Sequence, residues 1–267
     1  MKTNELNSNA IPTGFPTIDK ATGGLRPGQL MMIVGGPGSG KSTMLLNIAH
    51  NAWTAGARVL IITVDGTEDM GKRIGAISAM VPYAAMRDGT LNDSEKRRLH
   101  VATAAAASGE PIHYVGKVGR CTQEYIENEI LNTLPQTYDL ILVDNPGHAG
   151  ADKFRDSRDQ DISDMSMMLR KVACKYKLPI ISVMQTARDP WGHVVEVLSN
   201  SDIILSLRAI DQQQVMASGS VNLEGSLIKH RDGPKVRFAI KANFERCKMQ
   251  EIEVRAEEIS VVEENTK

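Results

Sequence analysis

Apolar positions along this chain fall into short unbroken runs, separated by longer stretches where they recur every third or fourth residue. Gln29–Val34 is one such run, and Ser42–Ala55 then sets Leu45, Leu46, Ile48 and Ala49 at helical spacing. The order repeats. Arg58–Val64 predicts a buried strand, and Thr67 opens a helix with Met70, Ile74, Ile77 and Met80 on one face. A second helix is predicted from Asp93, a strand at Ile112–Val115, and an amphipathic helix over Thr122–Leu134 through Ile126, Ile130 and Leu134. Leu140–Val143 is a fully apolar strand that stops at Asp144. Asp159–Tyr176 is helical through Ile162, Met165, Leu169 and Val172, and its methionines read as core filler. Strands follow at Pro179–Met184, Ile203–Leu207, Leu223–His230 and Val236–Ala242.

Strands alternating with helices predict an α/β domain with a mostly parallel central sheet, helices on both faces and a C-terminal end rich in β-hairpins. The ligand crevice of such a sheet lies at the carboxyl ends of its strands. Residues 1–10 are polar and aperiodic and read as a flexible arm; residues 11–250 form the domain, and residues 251–267 an acidic tail comprising a terminal strand and a frayed end.

Composition narrows the partners. Of 267 residues, 42% are hydrophobic and 24% charged, which is enough apolar material for one large core. The formal net charge is −1, so any contact with nucleic acid must be local. Cys121, Cys174 and Cys247 lie far apart without metal-ligand spacing, which suits a reducing compartment. No apolar run approaches the roughly 18–20 residues of a membrane span, and the start lacks a signal-peptide core. The expectation is a cytoplasmic protein with no membrane partner.

The chemistry concentrates in Gly35-Gly36-Pro37-Gly38-Ser39-Gly40-Lys41-Ser42, a glycine loop between a predicted strand and a predicted helix. Glycines let the backbone wrap a phosphate chain, and the helix start aims N–H groups at the anion. Gly36, Pro37, Gly38, Ser39 and Gly40 are therefore the predicted cradle. Lys41 is placed for the β and γ phosphates of ATP, Ser42 for Mg²⁺, and Thr43 for the helix start. Asp144, closing an apolar strand one βαβ series later, is the predicted second carrier of the metal. Hydrolysis also needs a group that activates water. Asp65, at the end of Ile61–Val64, is placed for that role; it also reads as a helix N-cap, and Glu68 is the competing base. Gln185 closes the Ile180–Met184 strand, where an amide can sense the γ-phosphate or simply face solvent.

From about Gly14 to Arg246 the order of motifs resembles the motor domain of the replicative DnaB-type hexameric helicases, within the RecA-like superfamily. Thr13-Gly14-Phe15-Pro16-Thr17-Ile18-Asp19 and Gly23-Gly24-Leu25-Arg26-Pro27-Gly28 resemble the family's approach to its P-loop. Met86-Arg87-Asp88-Gly89-Thr90-Leu91-Asn92-Asp93 is similar to another family-typical stretch. Lys229-His230-Arg231-Asp232-Gly233-Pro234 resembles the family's K-x-R-x-G-P hairpin. The resemblance implies that Arg231 is a finger reaching a neighbouring subunit's ATP, with Lys229 as a second cation, and that Gln185 is the strand-end glutamine. It also implies a homo-oligomer, ring or helical, with a hexamer as the family's form, and single-stranded DNA as a partner.

The chain departs from the family at three points. Asp65 stands where the family has Glu, one methylene shorter. The P-loop begins about 35 residues in, so the family's N-terminal domain and linker helix are expected to be absent and a separate replication protein is the expected stand-in. Asp189-Pro190-Trp191-Gly192-His193 does not keep the family's DNA-loop sequence, although Arg188 and Trp191 offer a cation and a stacking face. Lys153 and Arg155 form another basic DNA candidate, but the interleaved Asp152 and Asp156 make a self-paired solvated face equally readable. The leading expectation is an ATP-hydrolysing, DnaB-like DNA helicase or translocase core. The alternative is a RecA-like ATP-switched DNA-binding protein, recombinase-like or acting as a helicase loader or regulator, without unwinding.

Overall fold

In the computed structural model, residues 10–63, 67–107, 109, 111–116, 123–133, 138–144, 158–185, 198–210 and 221–252 are described. Their strands are β1 (Leu30–Gly35), β2 (Val59–Thr63), β3 (His113–Gly116), β4 (Leu140–Asp144), β5 (Ile180–Gln185), β6 (Ile203–Ala209), β7 (Leu223–His230), β8 (Arg237–Asn243) and β9 (Lys248–Ile252). They make one sheet in the order β3-β2-β4-β5-β1-β6-β7-β8-β9. Strands β3 to β6 in that order are parallel, and β6 through β9 continue as antiparallel ladders. This is the mostly parallel sheet with a hairpin-rich end that the periodicity predicts, as the resemblance to the RecA-like superfamily also implies.

The helices are α1 (Pro16–Thr22), α2 (Lys41–Thr54), α3 (Thr67–Ala79), α4 (Tyr83–Asp88), α5 (Asp93–Ala107), α6 (Gln123–Thr133) and α7 (Arg158–Tyr176), and a 3-10 turn spans Phe244–Arg246. Strand β1 shows why its run is unbroken. Met31 and Ile33 pack with α1, α2 and α3, whereas Leu30, Met32 and Val34 pack with α6 and α7 on the other face. A strand covered on both sides has no polar positions to alternate with.

Two stretches without clear apolar periodicity owe their form to local hydrogen bonds. In the approach to the P-loop, the Asp19 carboxylate accepts from Thr13 N (2.8 Å), Thr13 Oγ1 (2.7 Å) and Gly14 N (2.9 Å), and Asn51 Nδ2 of α2 donates to Thr13 O (3.0 Å). Helix α1 is thereby docked on the P-loop helix. In Met86–Asp93, Gly89 caps α4 in the left-handed region, and a reciprocal capping box opens α5: Glu95 N donates to Asn92 Oδ1 (3.0 Å) and Asn92 N to Glu95 Oε2 (2.9 Å).

The antiparallel extension does not run away from the nucleotide loop. Strand β9 is four places from β1 in the sheet, yet its start lies against α2. Buried Asn47 joins them: its Nδ2 donates to Cys247 O (2.8 Å) and Thr43 O (2.8 Å), and its Oδ1 accepts from Met249 N (3.0 Å). The accumulated twist of the sheet allows that return. No helix among the described residues is long and apolar enough to cross a membrane.

Candidate active site

Four adjacent parallel strands deliver the site. Gly35, the last residue of β1, pairs with Gln185, the last residue of β5; Asp144 at the end of β4 pairs with Thr63 at the end of β2. One carboxyl edge of the sheet therefore gathers the P-loop, Gln185, Asp144 and the strand that leads to Asp65. Gln185 is exposed there, while Asp144 is buried.

The loop is shaped by close approaches. A Cβ on Gly35 would stand 2.5 Å from Ser39 Oγ and 2.7 Å from the Leu207 carbonyl, so only glycine lets the chain turn against β6. Gly40 begins α2 at φ 85°, and a Cβ there would meet Met249 Cε at 2.6 Å and Phe244 Cε1 at 3.0 Å. Gly36 and Gly38 between them open on empty space. Ser39 Oγ is buried with no hydrogen-bond partner among the described residues. Lys41 Nζ donates to Gly36 O at 2.7 Å, folding the ammonium back across the loop. Burial lowers the Lys41 pKa, and the Asp144 carboxylate opposes that effect.

Ser42 Oγ donates to Asp144 Oδ1 at 3.0 Å. The sequence places these residues 102 positions apart, and the fold sets a hydroxyl and a buried carboxylate side by side at the mouth of the loop. Such hard oxygens suit a hard divalent cation.

Phe244 was not legible as a site residue. It is 47% exposed, belongs to the 3-10 turn before β9, and stands against Gly40 at the start of α2. No motif surrounds it; the Asn47 link that brings β9 onto α2 brings it to the loop. Its only signal in the sequence is a large apolar residue between Asn243 and Glu245 in a polar turn.

Arg231 and Lys229 lie at the other edge. In the β6–β7 ladder His230 pairs with Ile203, at the amino end of β6, and Ile203 pairs with Met31 near the start of β1. Six strand residues of about 3.3 Å each separate Leu30 from Gly36, so Arg231 stands about 20 Å from its own P-loop. The Arg231 side chain is half exposed, and its Nη1 pairs with Asp202 Oδ1 at 3.2 Å. Lys229 Nζ, instead of standing beside it as a second outward cation, donates to Ser199 O (2.7 Å) and Leu198 O (3.4 Å). Burial lowers the Lys229 pKa first, and nearby Arg231 lowers it further. Asp65, Lys153, Arg155, Arg188 and Trp191 lie outside the described residues.

Residues 10–250 match the family model of the DnaB-like helicase C-terminal domain. The replicative DNA helicase DnaB of Leifsonia xyli is 26% identical over 259 residues, covering 88% of this chain and 55% of that protein. The corresponding helicase of Pasteurella multocida is 25% identical over 254 residues, covering 88% and 54%. The chain thus spans about half the length of these relatives. Among solved structures, the ATPase domain of G40P superposes with a TM-score of 0.82 at 22% identity over 94% of each chain. A DnaB-like replicative helicase, described with its interactions with primase, gives 0.78 at 21% identity over 91% of this chain and 62% of that one. With that match across almost the whole domain and this nucleotide loop at the carboxyl edge of a RecA-like sheet, the chain belongs to the DnaB-like helicase C-terminal domain family.

Proposed function

We propose that this chain is the motor core of a DnaB-type DNA helicase or translocase, hydrolysing ATP at the interfaces of a homo-oligomer and moving on single-stranded DNA. The observation that carries this reading is the separation of Arg231 from its own P-loop. A half-exposed guanidinium about 20 Å from that loop has no phosphate to meet within one subunit. A neighbour's nucleotide supplies one, which makes the active unit a ring or helix, with a hexamer as the family's form.

The P-loop amides of residues 36–43 and Lys41 bind the phosphates, and the half-exposed Phe244 ring beside the loop stacks on a nucleobase. Ser42 and Asp144 would hold Mg²⁺, which supplies positive charge to the terminal phosphates when bound. Asp65, two residues after Thr63 in the sequence, takes a proton from the attacking water, and the Gln185 amide hydrogen-bonds the γ-phosphate. Arg231 of the adjacent subunit stabilises charge on the transferred phosphoryl group, an effect worth on the order of 10³–10⁵ in rate in arginine-finger systems. Lys153, Arg155, Arg188 and Trp191 are the proposed DNA contacts.

The test mixes Arg231→Ala and Lys41→Ala subunits and measures ATP turnover with and without single-stranded DNA. Each variant is nearly inactive alone, and recovery on mixing is the expected result, since some interfaces then join an intact loop to an intact finger. Demonstrated co-assembly without recovery overturns the shared site. Recovery without any response to DNA favours the ATP-switch alternative.

A further inference from the structure

Asp202 is a buried carboxylate whose two oxygens do different things. Oδ2 accepts from Leu30 N (2.9 Å) and pairs with Arg170 Nη1 (2.7 Å); Oδ1 pairs with Arg231 Nη1 (3.2 Å). The Asp202 carbonyl also accepts from Arg231 N at 3.0 Å. One residue therefore holds both the backbone and the guanidinium of Arg231. The same Arg170 Nη1 also donates to Gly28 O.

We propose that Asp202 is the positioning residue for the arginine that acts in trans, presenting its guanidinium at the subunit edge. The inference rests on the reading of Arg231 given above. A free arginine spreads over many rotamers, which dilutes any one geometry on the order of ten- to thirty-fold. The contact with Oδ1 removes that dilution before a neighbour docks. It engages one guanidinium nitrogen and leaves 49% of the side chain exposed, so donors remain for a phosphate. When Arg231 turns to that phosphate, Asp202 is not stranded as an unpaired buried charge, because Arg170 stays on Oδ2. Lys229, tied to the Leu198 and Ser199 carbonyls, is kept from competing for the carboxylate.

The experiment uses the same mixed assemblies and adds Asp202→Asn to one partner at a time. Asparagine retains an acceptor for Leu30 N and loses the charge that holds Arg231. Placed on the finger-donating Lys41→Ala subunit, it is expected to cut the recovered kcat about ten-fold or more, with KM for ATP unchanged because the loop belongs to the other subunit. On the Arg231→Ala subunit it is expected to leave recovery intact. Equal losses on both sides mark Asp202 as a general scaffold residue and overturn the proposal, as does no loss on either side. Should Asp202→Asn fail to co-assemble, Asp202→Glu retains the charge and shifts it by one methylene, and the same one-sided loss is required. If the parent mixture itself does not recover, the reading of Arg231 fails first and takes the proposal with it.

Discussion

Replacing Asn47 with alanine separates what the end of the sheet contributes to the nucleotide loop from what the loop does alone. Asn47 is fully buried on α2 and makes three hydrogen bonds with its side chain. The bond to Thr43 O matters least, because that carbonyl also receives the Asn47 amide within the helix. The other two are the side-chain link between α2 and the start of β9. Asn47→Ala leaves the Met249 amide and the Cys247 carbonyl without that partner, at about 1–3 kcal/mol for each unsatisfied group. Water admitted to the vacated volume offsets part of this, so we expect a loss of ~2–4 kcal/mol. That is a large part of a typical stability of about 5–15 kcal/mol. Urea unfolding should show the midpoint falling with the slope unchanged. Because Phe244 and Met249 reach Gly40 from the segment that Asn47 pins, nucleotide affinity should also fall, by about ten-fold for a lost 1.4 kcal/mol. Asn47→Asp should be worse at neutral pH, since it turns a carboxylate toward two carbonyl oxygens. Its folded pKa is then raised above the unfolded value, so that variant loses stability as pH rises from about 4. A loss below about 1 kcal/mol in Asn47→Ala, with affinity unchanged, would refute the reasoning.

Three further outcomes test the site. Asp144→Asn should weaken Mg²⁺-dependent nucleotide binding, whereas Asp65→Asn should spare binding and suppress turnover; an active Asp65→Asn beside a silent Glu68→Gln reassigns the base. Phe244→Ala should raise the Kd for ATP about ten-fold and leave inorganic triphosphate binding unchanged, as expected for a lost stacking face; equal effects on both ligands would remove it from base recognition. Single-stranded DNA binding should fall with salt, with Lys153→Ala, Arg155→Ala and Arg188→Ala each reducing the log–log slope by about 0.7 and Trp191→Ala weakening binding at constant slope; a salt-independent affinity contradicts phosphate contact.

The linear sequence by itself determined the elements and most of the carboxyl edge. Unbroken runs such as Leu30–Val34 and Leu140–Val143 report burial on both faces of a sheet, and the glycine loop between β1 and α2 is a local pattern because the phosphate cradle is itself local. The two short helices were less legible: α1 and α4 hold only 7 and 6 residues, too few for a periodicity, and cap chemistry defines them instead. The Ser42–Asp144 pair was predicted in kind but not in contact. What the tertiary structure alone decided is what depends on strand order and twist. Adjacency of β1 to β6, and of β6 to β7, sends Arg231 to the edge opposite its own loop. The curl of β7 through β9 brings Phe244 back to Gly40 across about 200 residues of chain, and buried Asp202 collects Leu30 of β1, Arg170 of α7 and Arg231 of the turn after β7. A pattern in sequence records which side of an element is buried; it carries no information about which distant element covers it, because apolar burial is non-directional and many pairings satisfy it equally. Here the choice among them is made by backbone register, sheet twist and a few buried polar groups, Asn47 and Asp202 foremost, whose hydrogen bonds only one packing satisfies.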